Sequence, residues 1–181
     1  YYGGGTLTYT AGTISSWVAL NTVSSCSITG FTTYKFYHLT PITNAQTITL
    51  GSNLDLLGYF MPSVQTTLAG GNTLICGTYF LINTTATIDI GTTDINCLYY
   101  RPSAATTVVN GTGGGKIYTE AITATANLTG IASGTADIIF DGTGIFEAAS
   151  ATMAYTQNIE FNTAGTVTIN GNLNYKTGTL K

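Results

Sequence analysis

Polar and apolar residues alternate in many short runs along the chain. Residues 6–10, 47–50, 86–90 and 166–169 each place an apolar side chain at every second position. A period of two is typical of a β-strand that turns one face toward a core and the other toward water. The pattern therefore predicts many short strands, each with one wet face.

Glycine and asparagine form clusters between these runs. The clearest clusters are residues 69–72, 110–115, 141–144 and 170–172. Both residue types enter the positive-φ region at low cost and favour turns. Together with the strand pattern, they predict an all-β chain and exclude a helical bundle or a coiled coil.

Weak internal repeats indicate how the strands are arranged. Three pairs of segments resemble each other: 42–56 and 161–175, 74–78 and 139–143, and 86–88 and 151–153. Repeated strand-and-turn units favour a parallel β-solenoid, in which each coil stacks on the previous one. An antiparallel β-sandwich or jelly roll is the alternative, since it has the same strand spacing. We interpret residues 1–181 as a single β-rich module and as a candidate unit of a tandem array or polymer.

The composition is poor in charge. The chain has 5 Lys and Arg against 8 Asp and Glu, 7% of its residues, with a net charge of −3. Stacked strands explain this, because ladders of Thr, Asn or Val pair with themselves whereas ladders of like charge repel. The lack of a basic cluster argues against nucleic-acid binding. No apolar stretch in the sequence is long enough for a membrane-spanning helix.

Both ends of the chain carry a Thr- and Gly-rich strand pattern, in residues 5–14, 162–169 and 172–180. These segments resemble the β-helical repeats of bacteriophage virion proteins, especially tail and fibre components. They are similar, less closely, to the passenger repeats of bacterial adhesins. The resemblance implies an extracellular or virion-surface structural protein that acts as a shaft, fibre or surface layer.

The two ends of the chain also match each other. Residues 2–7 are similar to residues 175–180. Because the last strand is similar in sequence to the first, we expect the end strand of one subunit to pair with the sheet edge of the next subunit. Such pairing covers an edge that would otherwise promote aggregation. The residues expected to take part in this edge-strand assembly are Thr6, Leu7, Thr179 and Leu180.

His38 is the only histidine and therefore the only candidate base for a Ser or Cys nucleophile. It lies in an aromatic run, where strand alternation places it on the same face as Tyr34 and Phe36. We interpret it as a structural residue.

Two pairs of carboxylates are the other catalytic candidates. Asp89 with Asp94, and Asp137 with Asp141, would serve a glycoside hydrolase only if their coils stack in register. We expect these residues to cap turns instead. The chain is therefore predicted not to be an enzyme, and its motifs indicate no catalytic, cofactor-binding or metal-ligating residue.

The three cysteines lack the spacing of a zinc site. Cys76 and Cys97 are about one coil apart, so we expect stacked neighbours that either form a disulfide or remain two buried thiols. Buried thiols are the preferred interpretation for all three cysteines. An intermolecular disulfide through Cys26 is the alternative in an assembled polymer.

Aromatic side chains provide the best candidate binding surface. They gather where strands meet loops, and the candidates for subunit or glycan contact are Tyr34, Tyr37, Tyr59, Tyr99 and Tyr100. Tyrosine rings stack on sugars when they are exposed and pack well between subunits. Assembly is the preferred interpretation, because a chain with so few charges resists self-association poorly.

The sequence therefore predicts a non-enzymatic structural protein, located outside the cell or on a virion, that self-assembles with copies of itself or with filament or virion neighbours. An adhesin that binds surface glycans through its Tyr-rich loops is the first alternative. A polysaccharide depolymerase that uses the Asp pairs is the second.

Overall fold

A computed structural model describes residues 5–8, 17–21, 25–29, 35–43, 45–103, 106–123, 129–142, 145–147, 152–170 and 174–175. The secondary structure of these residues is entirely β. Their strands are β1 (Gly5–Thr8), β2 (Trp17–Leu20), β3 (Ser25–Thr29), β4 (His38–Pro41), β5 (Gln46–Leu50), β6 (Leu54–Leu56), β7 (Thr66–Ala69), β8 (Leu74–Ile82), β9 (Thr87–Asp89), β10 (Ile95–Pro102), β11 (Thr106–Asn110), β12 (Lys116–Thr123), β13 (Thr129–Ser133), β14 (Asp137–Phe140), β15 (Ile145–Glu147), β16 (Thr152–Tyr155), β17 (Ile159–Phe161), β18 (Thr168–Asn170) and β19 (Asn174–Tyr175).

The strands form two main sheets that the chain visits in turn. Sheet 1 has the order β1-β3-β5-β7-β9-β11-β13-β16-β19. Sheet 2 has the order β17-β14-β12-β10-β8-β6, with β15 beside β12 and β18 beside β15. All pairings between these strands are parallel. The prediction of a parallel β-solenoid is confirmed, and the antiparallel sandwich is excluded.

Sheet 2 turns a corner within its longest strands. The first part of β12 pairs with β14 at residues 116–119, whereas its last part pairs with β15 at residues 122–123. The short pair of β2 and β4 joins the same side of the corner through bridges from Leu39 to Phe60 and from Phe60 to Phe80. A coil therefore has three straight segments, one in sheet 1 and one on each side of the corner in sheet 2.

The sequence repeats do not follow the coils. Thr49 lies in β5 of sheet 1, whereas Thr168, its counterpart in the repeat, lies in β18 of sheet 2. Leu74 is in register with Ile138 through β10 and β12. The sequence repeat instead matches Leu74 with Ile139, one residue later. The match between residues 2–7 and 175–180 lies mostly outside the described residues. The true repeat is one coil, and side-chain hydrogen bonds between adjacent coils join residues 19 to 26 positions apart.

Inward-facing side chains stack in ladders that fill the solenoid. The longest aliphatic ladder continues through six coils, and each of its members is almost wholly buried: Leu54, Leu74, Ile95, Ile117, Ile138 and Ile159. An aromatic ladder stands beside it, with ring centroids 5.8 Å apart from Phe60 to Phe80 and 5.7 Å apart from Phe80 to Tyr100. Both ladders follow from apolar residues at every second position of parallel strands in register.

Outward-facing positions of sheet 1 carry the hydroxyl ladders that the Thr-rich composition predicts. Ser25, Thr47 and Thr67 are Cα partners on three successive coils. At the turns, Asn53 Oδ1 accepts a hydrogen bond of 2.9 Å from the Thr73 N–H of the next coil. The Asn110 Oδ1 atom accepts one of 3.2 Å from Thr135 N–H. Uncharged polar groups therefore link the coils where a charged ladder would separate them.

Opposite charges do meet between two coils, since Lys35 Nζ lies 2.6 Å from Asp55 Oδ2. The described residues contain no helix that is long and apolar enough to cross a membrane.

The aromatic ladder offers a test of the stacked core. Phe80 is fully buried between Phe60 and Tyr100. We expect Phe80→Ala to lower the free energy of unfolding by about 3 to 5 kcal/mol, because it removes a buried ring and leaves a cavity. Urea denaturation measures the change.

Asn96→Ala is the matched control for that experiment, since Asn96 is exposed on the adjacent strand β10. Its effect should stay within about 0.5 kcal/mol. Equal effects of the two substitutions would contradict a core built on this stack.

Candidate functional site

Exposed apolar side chains gather on one side of the solenoid. The large exposed hydrophobic residues among those described are Trp17, Tyr37, Leu57, Leu98 and Tyr99. They lie at the corner of sheet 2 and on the segment that follows it. A contiguous apolar surface on a soluble protein is a candidate interaction site.

Stacked rings form the main part of this surface, which we call the outer aromatic ladder. It consists of Trp17, His38, Tyr59, Tyr79 and Tyr99, one residue from each of five successive coils. Trp17 is the Cα partner of His38, and Tyr79 is the partner of Tyr99. Tyr59 and Tyr79 precede the bridged residues Phe60 and Phe80, so they share one register. The ladder therefore runs along the solenoid, outside the buried aromatic ladder.

The rings of the outer aromatic ladder cover one another's faces. His38 and Tyr59 stack with centroids 3.4 Å apart and planes at 23°, and Tyr79 and Tyr99 stack at 5.0 Å and 28°. Trp17 stands edge-on to His38 and to Tyr59, at 77° and 80°. One face of each stacked ring is therefore covered by its partner.

Polar contacts hold these rings in place. The Trp17 indole N–H donates to Thr40 Oγ1 at 2.7 Å, and the Tyr59 backbone N–H donates to His38 Nδ1 at 3.0 Å. The Arg101 guanidinium lies 5.7 Å from the centroid of Tyr79, within the range of a cation–π contact. A Cβ atom at Gly58 would lie 2.4 Å from the His38 ring, so the stacked imidazole requires glycine there.

A second column of residues follows the corner itself. Tyr37, Leu57 and Leu98 are its exposed apolar members, and Gly77 leaves a notch between the two leucines. A Cβ at Gly77 would lie 2.4 Å from the Leu57 carbonyl oxygen, so the close approach of the two coils excludes a side chain. The notch opens into a groove of about 310 Å³ whose polar lining comes from Asn96, Tyr118, Glu120 and Asp141.

Not all of the predicted contact tyrosines are on this surface. Tyr37 and Tyr99 are exposed and Tyr59 is partly buried, whereas Tyr34 lies outside the described residues. The prediction for Tyr100 is wrong: its exposure is 0%, it stacks on Phe80, and its hydroxyl bonds Gln157 in the core. Tyr99 and Tyr100 are neighbours in sequence, but only Tyr99 points outward.

The sequence interpretation missed Trp17, Tyr79 and the two exposed leucines. Their signal was present, since Tyr59, Tyr79 and Tyr99 recur at the spacing of one coil. The segments matched in the sequence are separated by several coils, as 74–78 and 139–143 are, and did not reveal it.

The predicted placement of His38 is also wrong. Phe36 is buried, whereas His38 is only partly buried and stacks on an outer ring. The chain bends at Tyr37 before β4 begins, so strand alternation does not continue from Phe36 to His38. Tyr34 lies outside the described residues.

Three of the four candidate carboxylates are engaged in hydrogen bonds to the turn or to the next coil. Asp89 accepts from Gly91 N–H at 2.9 Å and from the Thr112 hydroxyl, and Asp94 accepts from Lys116 N–H at 3.0 Å. Asp137 accepts from the Asn158 side chain at 2.8 Å. Asp141 is exposed beside the groove. Among the described residues, no cluster of three or more His, Cys, Asp or Glu side chains is placed to hold a metal ion.

The cysteines follow the preferred prediction. Cys26, Cys76 and Cys97 are free and buried, and Cys76 is the Cα partner of Cys97. The alternative of an intermolecular disulfide through Cys26 is inconsistent with its burial.

Of the predicted edge residues, Thr6 and Leu7 lie in β1, the first strand of sheet 1. Thr179 and Leu180 lie outside the described residues.

The outer aromatic ladder can be tested by titration, because the chain has one tryptophan and one histidine. Burial lowers the pKa of His38 from its ordinary value of 6.5. The unfolded chain therefore takes up this proton more readily, and the His38 contribution to stability is lost as the pH falls below 6.5. Protonation also removes the acceptor for Tyr59 N–H.

We expect Trp17 fluorescence to fall as His38 is protonated, because a cationic imidazole in ring contact quenches indole emission. The midpoint should lie below 6.5. The His38→Gln variant should give a flat profile over the same range. A midpoint above 6.5 in the intact protein would contradict the partly buried, stacked imidazole.

Asp89 tests the turn-capping role of the carboxylates. We expect Asp89→Ala to destabilise the fold by about 1 to 2 kcal/mol, because the Gly91 N–H and the Thr112 hydroxyl lose their acceptor. Asp89→Asn keeps one acceptor oxygen and should cost less. Asp141→Asn, at an exposed position, serves as the control in the same denaturation assay. Equal costs for Asp89→Ala and Asp89→Asn would show that charge matters here rather than the acceptor.

Comparison of the chain with protein-family models, with curated proteins and with solved structures gives no match. The functional conclusion therefore depends on the geometry of the solenoid and of the outer aromatic ladder.

Proposed function

We propose that this protein is a non-enzymatic structural component of an extracellular or virion-surface fibre, and that it assembles with copies of itself. The observation that carries the proposal is the uninterrupted stacking of sheet 1, whose nine strands all pair in parallel. The Thr- and Gly-rich repeats at both ends of the sequence, which resemble those of phage fibre proteins, agree with it.

Mechanical rigidity follows from this stacking. Main-chain hydrogen bonds join each coil to the next on all three segments, for example from Leu54 N–H to Thr73 O and from Leu74 N–H to Asp94 O, both at 2.9 Å. Bending the solenoid would strain many of these bonds together. A body of this kind suits a shaft or a surface layer, where the protein has to keep its shape without a partner enzyme or cofactor.

The ends of the solenoid favour assembly through strand edges. β1 and β19 are the outermost strands in the order of sheet 1. Among the described strands, each end strand has a neighbour on one side only. Natural proteins usually protect such edges with charge, proline or a covering segment. This chain has only 5 Lys and Arg with which to do so. Pairing between subunits satisfies the edge and extends the fibre in the same geometry.

The outer aromatic ladder supports contact with a protein surface more than contact with sugars. Glycan recognition by stacking requires exposed ring faces. In this ladder His38 covers one face of Tyr59, and Tyr79 covers one face of Tyr99. Ring edges and the adjoining Leu57 and Leu98 instead suit an apolar, shape-complementary contact between neighbouring shafts.

The depolymerase alternative receives less support. Asp89, Asp94 and Asp137 are engaged in hydrogen bonds that link turns and coils. These hydrogen bonds explain the three carboxylates as residues that stabilise the fold.

Electron microscopy of the purified chain over a range of concentrations tests the proposal. We expect filaments of uniform width that lengthen with concentration, and a matching rise in sedimentation coefficient. Thr6→Lys, which places a charge in the end strand β1, should shorten the filaments or abolish them.

Thr49→Lys is the matched control, because Thr6 pairs with Ser27 and Ser27 pairs with Thr49 in one column of sheet 1. It adds the same charge to an inner strand and should leave filament length unchanged. A monodisperse monomer at every concentration would refute the proposal. Filaments that survive Thr6→Lys but not Leu98→Glu would place the contact on the corner surface instead of the strand edge.

A further inference from the structure

Two thiols face each other across adjacent coils. Cys76 in β8 and Cys97 in β10 are direct Cα partners in a parallel pairing. Both are free and almost fully buried, with exposures of 2% and 7%. They occupy one inward column between Leu56 on one side and Thr119 on the other.

The spacing of this pair is close to that of a disulfide. Direct partners on neighbouring strands are about 4.8 Å apart, within the range of about 4.4 to 6.8 Å found between the Cα atoms of bridged cysteines. Parallel side chains keep their Cβ atoms at a similar spacing, slightly above the usual range for a disulfide. A small local approach of the two strands is therefore required for a bond to form.

The backbone next to the pair is irregular and able to supply this movement. Directly after the cysteines, β8 has Gly77 and Thr78 where β10 has only Leu98, and the register shifts between Cys97 and Tyr99. Such a bulge locally disrupts the ladder. The groove at the corner also reaches both cysteines, which are part of its lining. Because both thiols are almost fully buried, a small reagent reaches them through local opening of the chain at this bulge.

We propose that Cys76 and Cys97 form a redox-dependent disulfide that staples two successive coils together beneath the corner groove. The bond would pin the register at the bulge, immediately before Tyr79 and Tyr99 of the outer aromatic ladder. The inference does not depend on the proposed fibre function, because it concerns one chain only.

Oxidation by a small peroxide balances as follows. The Cys97 thiolate attacks one peroxide oxygen, the O–O bond breaks, hydroxide leaves and a sulfenic acid forms on Cys97. The Cys76 thiolate then attacks that sulfur, the S–S bond forms and a second hydroxide leaves. The two thiol protons and the two hydroxides give two waters. Cys97 reacts first because it is the more exposed of the pair.

Burial makes this reaction slow at neutral pH. It raises the pKa of Cys97 to about 12 and that of Cys76 well above its ordinary value. Only the thiolate attacks peroxide. The rate of oxidation should therefore increase about tenfold per pH unit as long as the pH is below the pKa of Cys97.

Treatment of the folded protein with hydrogen peroxide, followed by thiol counting and mass spectrometry, tests the proposal. The number of free thiols should fall from three to one, with a loss in mass of two hydrogen atoms and no change in subunit number. Asp89 and Asp94 lie between the two cysteines in sequence, so cleavage at aspartate should leave two peptides joined only by the disulfide. We expect Tm to rise by about 5 °C or more.

Cys26→Ala is the matched control and should form the same bond. In Cys76→Ala, Cys97 should stop at the sulfenic acid and become labelled by dimedone, without a rise in Tm. Three free thiols after prolonged oxidation at alkaline pH would overturn the proposal. Sulfinic acid on Cys97 of the intact protein, or a disulfide that includes Cys26, would overturn it as well. The thiol count of the intact protein decides the question even where a variant does not fold.

Discussion

Parallel stacking of coils is the constraint on which the rest of this protein depends. It places like positions directly above one another at about 4.8 Å, so each column has to consist of groups that tolerate their own kind as neighbours. Aliphatic residues do so inside, as Leu74, Ile95 and Ile117 show, and hydroxyl residues do so outside, as Thr47 and Thr67 show. Charged residues are tolerated beside an opposite charge, as Lys35 and Asp55 show, or beside a neutral hydrogen-bond donor, as Asp137 and Asn158 show. The low charge of the sequence is therefore a requirement of the fold and does not indicate disorder.

The same constraint builds the surface that we connect with function. Ring separations of 5.0 Å between Tyr79 and Tyr99 and of 5.8 Å between Phe60 and Phe80 both reflect the coil spacing. One aromatic column lies inside the solenoid and the other outside, because the two occupy adjacent positions on the same strands. Loss of a buried ring would thus disturb the exposed column as well. In this protein the core and the candidate interaction surface are two sides of one stacked sheet.

Sequence patterns predicted the regular parts of this architecture because regular parts obey simple periods. Alternation identified strands such as β5 and β9, and the coil spacing identified Cys76 and Cys97 as stacked neighbours. The predictions failed where the period changes. Tyr99 and Tyr100 were predicted together because rings gather where strands meet loops. Leu98 and Tyr99 are consecutive and both exposed, so Tyr100 points into the core. The bend at Tyr37 displaces His38 in the same way. Neither change has a local signal, since each results from the turn of the whole sheet at its corner.

The corner is also where the sequence has most freedom to acquire a function. An inward position in a straight segment has to match its column, because a mismatch leaves a void or an unpaired polar group between two coils. At the corner, outward groups diverge and a bulge absorbs one extra residue, so neighbouring positions can differ as much as Leu57, Gly77 and Leu98 do. Glycine at 77 satisfies the close approach of the coils and opens the groove at the same time. The irregular corner of an otherwise repetitive solenoid thus carries the exposed apolar residues and the groove directly beside the thiol pair, since outward side chains there do not have to match their column.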